Sequence, residues 1–127
     1  MKKGSIKNNR INGEVLRALT EIISEEVKDP DVDPLLTVTR VEVTPDLQYC
    51  KCGVSSLGTG EELERSVEGL MRAKGFIRTE LAHRVNLRKT PEITFYADRS
   101  MEYAIEMSKK IDELLKGAGY EESETEV

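Results

Sequence analysis

Between a β-rich segment at 35–55 and a shorter one at 92–97, the chain carries a helical stretch interrupted by glycine. It opens with LGTGEELERSVEGLM, where Thr59 followed three residues later by Glu62 makes a capping box. Leu63, Val67, Leu70 and Met71 keep the helical period, which resumes beyond Gly75 as Phe76 or Ile77, then Leu81 and Val85. Residues 60–86 therefore form one long helix with a break, or two helices at an angle. Because the link from the second strand to the third passes through this helix, the sheet must be mixed.

The strands are short. LLTVTRVEVT, 35–44, puts Leu36 and Val38 on one face and Val41 and Val43 on the other, a switch near Arg40 that hints at a bulge. Pro45-Asp46 is a turn signal, and YCKCGVSS alternates after it, so the two segments pair as an antiparallel hairpin. EITFYA, 92–97, is the third strand, with Ile93 and Phe95 on one face. Three strands cannot enclose a core alone, so helices must cover one face. The fold class is α+β: a single two-layer α/β sandwich of order α-β-β-α-kink-α-β-α, its other sheet face open to water or a partner.

Helices flank this unit. Ile11, Val15, Leu19, Ile22, Ile23 and Val27 make one stripe, with Asn8 or Asn9 as a cap and Pro30 as the stop. After Asp98 or Ser100 as cap, Met101, Ile105, Ser108, Ile111 and Leu115 form the inner stripe of a last helix. Residues 1–116 read as the domain, and 117–127 as an acidic, disordered tail.

A chain of 127 residues can bury a core without disulfides or metals. Cys50 and Cys52 lie on one face of a strand, too far apart for an unstrained bridge, and with a single His they lack partners for a metal. They read as small core residues. No apolar run is long enough to span a membrane, and no apolar segment follows the basic start, so a cytoplasmic protein is expected.

The net charge of −5 conceals blocks of opposite sign. Lys2, Lys3, Lys7 and Arg10 open the chain, and an acidic run from Glu14 to Asp31 follows. Residues 72–89 then gather Arg72, Lys74, Arg78, Arg84, Arg88 and Lys89 against Glu80. Ala73 and Gly75 flank Lys74 with almost no side chain, so the helix kinks there and another backbone can come close. Cations beside the start of a helix suit phosphate. The bland alternative is a helix crossing the sheet tightly, with its arginines solvated.

Catalysis finds little support. His83 stands alone among cations, Glu61, Glu62 and Glu64 suit a helix start, and no phosphate loop of the P-loop type occurs.

The element order resembles the type II KH fold, whose members clamp single-stranded backbone with a GXXG loop. No such loop occurs here, and the break is Ala73-Lys74-Gly75, an A-x-G. With TVTRVEVTPDLQYCKCGVSS, RAKGFIRTELAHRVNLRKTPEITFYAD and DRSMEYAIEMSKKIDELL, the chain resembles the ribosome-binding factor A family over roughly residues 7–115. That resemblance implies a KH-like, non-catalytic assembly factor without cofactor. It would bind the immature small ribosomal subunit and its ribosomal RNA during late maturation, including 5′-end processing of that RNA. Ala73 and Gly75 match the family's kink. The expected RNA-facing set is Arg72, Lys74, Gly75, Arg78, Arg84, Arg88 and Lys89, joined by Lys7 and Arg10. Neither a membrane nor a small-molecule substrate is expected, and nothing demands more than a monomer. Aromatic residues are sparse, so backbone contact should outweigh base stacking. The competing reading is a protein-binding adaptor that uses the open sheet face or the acidic first helix.

Overall fold

The computed structural model describes residues 2–118, with side chains from Asn9 onward. The elements are α1 Lys2–Glu25, β1 Thr37–Val43, β2 Tyr49–Ser55, α2 Gly60–Arg72, α3 Lys74–Arg84, β3 Glu92–Ala97 and α4 Ser100–Gly117. β2 is central, antiparallel to β1 and parallel to β3, which is the mixed sheet required by a helical crossover.

Val38 pairs with Val54 and Arg40 with Gly53, leaving Thr39 as an extra residue in β1. The bulge turns Val38, Val41 and Val43 to the same side, although strict alternation would divide them. They meet Cys50, Cys52 and Val54 of β2 and Ile93 and Phe95 of β3 in one buried layer. Val15, Leu19 and Ile22 of α1, Leu63 and Leu70 of α2, and Ile77 and Leu81 of α3 cover it. The opposite face carries exposed Glu42, Tyr49, Lys51 and Thr94. Both cysteines are free and buried, and burial pushes the Cys50 thiol up to about 12 and raises that of Cys52 as well.

The loop between α1 and β1 is pinned to α2 by residues one turn apart. Ser66, fully buried, accepts from the Asp33 N–H at 3.0 Å and donates to the Asp31 carbonyl at 3.3 Å. At Gly69 a Cβ would fall 2.7 Å from Val32 Cγ2, so the loop approaches the helix at a distance open to glycine alone.

Three sequence expectations change, the first being the cap of the last helix, where Arg99 and not Asp98 or Ser100 holds the N-cap position. α1 begins at Lys2, so Asn8 and Asn9 lie inside the helix instead of capping it; a capping residue favours a start but does not enforce one where Lys, Ile and Arg continue the helix. The last helix does not bury the stripe expected in the core. Every residue from Ser100 to Gly117 is exposed. Its departure from the body is set by two neighbours. Asp98 accepts from the Thr39 hydroxyl at 2.5 Å and from the Ser100 N–H at 3.0 Å. Arg99 bridges Glu64 of α2 and Glu102 of α4, at 2.8 and 3.7 Å. The core-facing side of the sheet is already filled by α1, α2 and α3. Of the expected tail, 119–127 lies outside the described residues.

Candidate nucleic-acid interface

The break in the crossover is a single residue. Ala73, at φ −93° and ψ 5°, shares its N–H between the carbonyls of Gly69 and Leu70, both at 3.1 Å. Its own carbonyl accepts from the Ile77 N–H at 2.9 Å and starts α3. The joint lets the chain change partners. α2 buries Leu63 and Leu70 beside β3 and the 29–33 loop, and α3 buries Ile77 and Leu81 toward α1. Gly75 lies just beyond, and a Cβ built there meets nothing within 4 Å. Packing inside the molecule therefore does not require the glycine, and its bare backbone faces solvent between exposed Lys74 and Phe76.

The structure divides the cations of 72–89. Arg72 forks onto Asp29, at 3.2 and 3.0 Å, and reaches Asp31 at 2.7 Å. Arg84 faces three carboxylates, Glu21 at 3.1 Å, Glu26 at 3.4 Å and Glu80 at 3.9 Å. Both arginines turn toward the acidic end of α1 and the loop after it, and so they hold helices together. To reach phosphate they would have to give up these pairs. The sequence concealed this because, Glu80 apart, the acids lie about 40–60 positions away in the chain.

Lys74, Arg78, Arg88, Lys89 and Arg10 remain. Each is exposed and none has an ion pair among the described residues. Lys74 and Arg78 are one turn apart on α3. Arg78 Nη2 donates to the Thr90 carbonyl at 2.8 Å, which ties the segment after α3 back to that helix. Arg88 and Arg10 then line a shallow groove of about 370 Å³, together with Glu14, Pro45, Leu47 and Leu87. The unpaired cations thus fall at two places, Lys74 and Arg78 on α3 and Arg88 and Arg10 in the groove beside α1, with Lys89 in the segment between them in the chain. Lys7 also belongs to the expected set, but its side chain is outside the described residues.

The groove's apolar wall comes from the hairpin turn. Leu47 adopts a left-handed backbone at φ 61°, a conformation that costs a branched side chain about 1–2 kcal/mol. Burial of its side chain offsets that cost, as do the bonds around it. The Thr44 carbonyl accepts from the Leu47 N–H, and Asp46 accepts from the Thr44 hydroxyl and the Gln48 N–H. The Thr44 hydroxyl and then the Gln48 N–H hold the Asp46 carboxyl below its ordinary range, with Lys89 adding to the effect.

Sequence reasoning missed Leu47, because a turn residue carries no periodic signal. The helical period alone does not decide Phe76. Of this adjacent pair Ile77 is the buried one, and Phe76 stands exposed beside Gly75. His83 is exposed on α3. Among the described residues, no group of three or more His, Cys, Asp or Glu could hold a metal ion.

The model of the ribosome-binding factor A family matches residues 7–111. The chain is 53% identical over 114 residues to the ribosome-binding factor A of Lachnospira eligens, covering 90% of this chain and 88% of that protein. The crystal structure of ribosome-binding factor A from Thermus thermophilus superposes with a TM-score of 0.62 at 28% identity, over 71% of this chain and 93% of that one. A homology model of the Thermus thermophilus ribosome-binding factor A, fitted into the cryo-EM map of a complex between the 30S subunit and the factor, superposes with a TM-score of 0.58 at 30% identity, over 69% of this chain and 91% of that one. With its mixed sheet, its one-residue joint at Ala73 and this degree of similarity, the chain belongs to the ribosome-binding factor A family.

Proposed function

We propose that the chain is a non-catalytic assembly factor that binds the immature small ribosomal subunit through its ribosomal RNA. It acts in late maturation, including processing of the 5′ end of that RNA. Family membership supports the subunit as partner, since a relative is fitted into a map of its complex with the 30S subunit. The observation that carries RNA contact is the set of Lys74, Arg78, Lys89, Arg88 and Arg10, exposed and forming no ion pair among the described residues, on a molecule of net charge −5. A protein this acidic is repelled by RNA as a whole, so binding requires a local field of opposite sign.

Phosphates of structured RNA fit this set better than bases do. Lysine and arginine side chains meet the charged backbone, and the bare backbone at Gly75 lets a phosphate approach the first turn of α3, the positive end of its dipole. Phe76 offers one apolar ring beside it. The test is co-sedimentation with immature and mature small subunits. Lys74→Ala/Arg78→Ala/Arg88→Ala should weaken binding by on the order of tenfold to a hundredfold with far-UV circular dichroism unchanged. Unchanged binding would overturn the assignment of this face.

A further inference from the structure

The groove between α1 and the hairpin turn differs from the rest of the cationic surface, because its walls are apolar and its charges are mixed. Pro45, Leu47 and Leu87 form the walls, and Arg10, Glu14, Asn86 and Arg88 border them. At about 370 Å³ the space falls within the ~300–1,000 Å³ of small-ligand pockets. None of the four polar side chains makes a hydrogen bond or an ion pair among the described residues. Arg10 and Glu14 are four positions apart on α1, a spacing at which opposite charges pair, and they do not. Farther along the same helix the acids are engaged: Glu21 and Glu26 both hold Arg84. The wall itself is built under strain. Leu47 stands at φ 61°, and strained backbone of this kind gathers at ligand sites. Asp46 accepts from the Thr44 hydroxyl and the Gln48 N–H, so the turn is fixed before any ligand arrives.

We propose that this groove takes one unpaired guanine of the ribosomal RNA, an inference that rests on the RNA-binding reading above. A base is apolar on its two faces, and Pro45, Leu47 and Leu87 give those faces apolar contact. Its edge carries the selection. A carboxylate only accepts hydrogen bonds, so Glu14 suits a base with two adjacent donors. Guanine has them in N1–H and the 2-amino group, whereas adenine, cytosine and uracil each present one donor group there, beside an acceptor. The Asn86 amide donates to guanine O6. The base must be unpaired, because in a duplex this edge is taken by its partner. Arg10 and Arg88 meet the phosphates on either side, which offsets the repulsion between Glu14 and the RNA backbone. The phosphates thus locate the strand and the groove reads one base.

The experiment uses the full chain, isotope-labelled and titrated by NMR with hexauridine and with three relatives carrying adenosine, guanosine or inosine at the third position. Inosine differs from guanosine only in lacking the 2-amino group. The guanosine hexamer should bind about tenfold more tightly than the adenosine and uridine ones, with the inosine hexamer between them. Ring current from the inserted base should shift the methyl signals of Leu47 and Leu87. Glu14→Gln should abolish the preference for guanosine without weakening hexauridine. Glu14 is exposed, so circular dichroism should show the fold of this variant unchanged. Equal affinity for all four hexamers would overturn the guanine site. So would a guanosine preference that survives Glu14→Gln, or one that leaves the Leu47 and Leu87 methyls unmoved. Failure of every hexamer to bind would overturn it as well. Co-sedimentation with the subunit tests the RNA-binding reading separately, so its result distinguishes loss of the guanine site from loss of that reading.

Discussion

Arg72 donates from Nε and Nη2 to the two carboxylate oxygens of Asp29, at 3.2 and 3.0 Å, and the same Nη2 reaches Asp31 at 2.7 Å. With Ser66 and Gly69, this fork fastens the loop after α1 to α2. It also takes from the basic segment an arginine that lies two positions from Lys74 in the chain. The two residues should therefore respond differently. Arg72→Ala should lower the thermal midpoint measurably, because it frees the loop, whereas Lys74→Ala should leave the midpoint within error. Subunit binding at a temperature where both variants are folded should fall more for Lys74→Ala. Thermal denaturation and co-sedimentation of the two variants side by side separate these roles.

The glycines make an internal contrast. A methyl group added at Gly75 would meet open space, so Gly75→Ala should keep the fold and raise stability by about 0.5 kcal/mol through helix propensity, while weakening subunit binding. At Gly69 a methyl would strike Val32, and Gly69→Ala should cost about 1–3 kcal/mol. Urea denaturation of both variants measures the difference. A loss of stability at Gly75 would mean that the glycine serves packing and not approach.

Acid should destabilise the protein through three carboxyls. Asp29 is held below its ordinary range by Arg72 and then the Asp31 N–H, Asp46 by Thr44 and Gln48, and Asp98 by Thr39 and Ser100. In this range the folded state binds fewer protons than the unfolded one. Their contribution is therefore complete above the ordinary carboxylate value near ~4 and is lost as pH falls through the depressed folded values. Urea midpoints should be level from neutral pH down to about 5 and fall below about 4. Asp98→Asn should flatten part of that fall.

Cys50 and Cys52 should resist thiol reagents in the folded protein, since burial removes access and keeps both thiols protonated at neutral pH. Labelling should follow the rate of unfolding and become rapid in denaturant. Fast labelling under native conditions would show that β2 opens independently of the rest.

Much of the fold was legible because local signals agreed. The Thr59–Glu62 box, the turn at Pro45-Asp46, the uneven faces of β1 and the broken crossover, interrupted at Ala73, each match the structure. The failures have a common physical origin. Periodicity shows that a helix has an apolar face but not what covers it, so α4 reads as a core helix although Ile105 and Leu115 are exposed. Charge runs show where cations lie in sequence but not which acids fold onto them. Arg72 and Arg84 are held by carboxylates from α1 and its following loop, contacts that belong to tertiary structure. Leu47 enters the groove through a left-handed turn that no local preference of leucine favours.

The salt dependence of subunit binding tests the cation set most directly. If about four of Lys74, Arg78, Arg88, Lys89 and Arg10 meet phosphates, the logarithm of the association constant should fall against the logarithm of salt concentration with a slope of roughly −3 to −4. The slope should become shallower by about one for each of these residues changed to alanine. Binding that persists with a slope near zero, unaffected by those changes, would contradict phosphate recognition by this face.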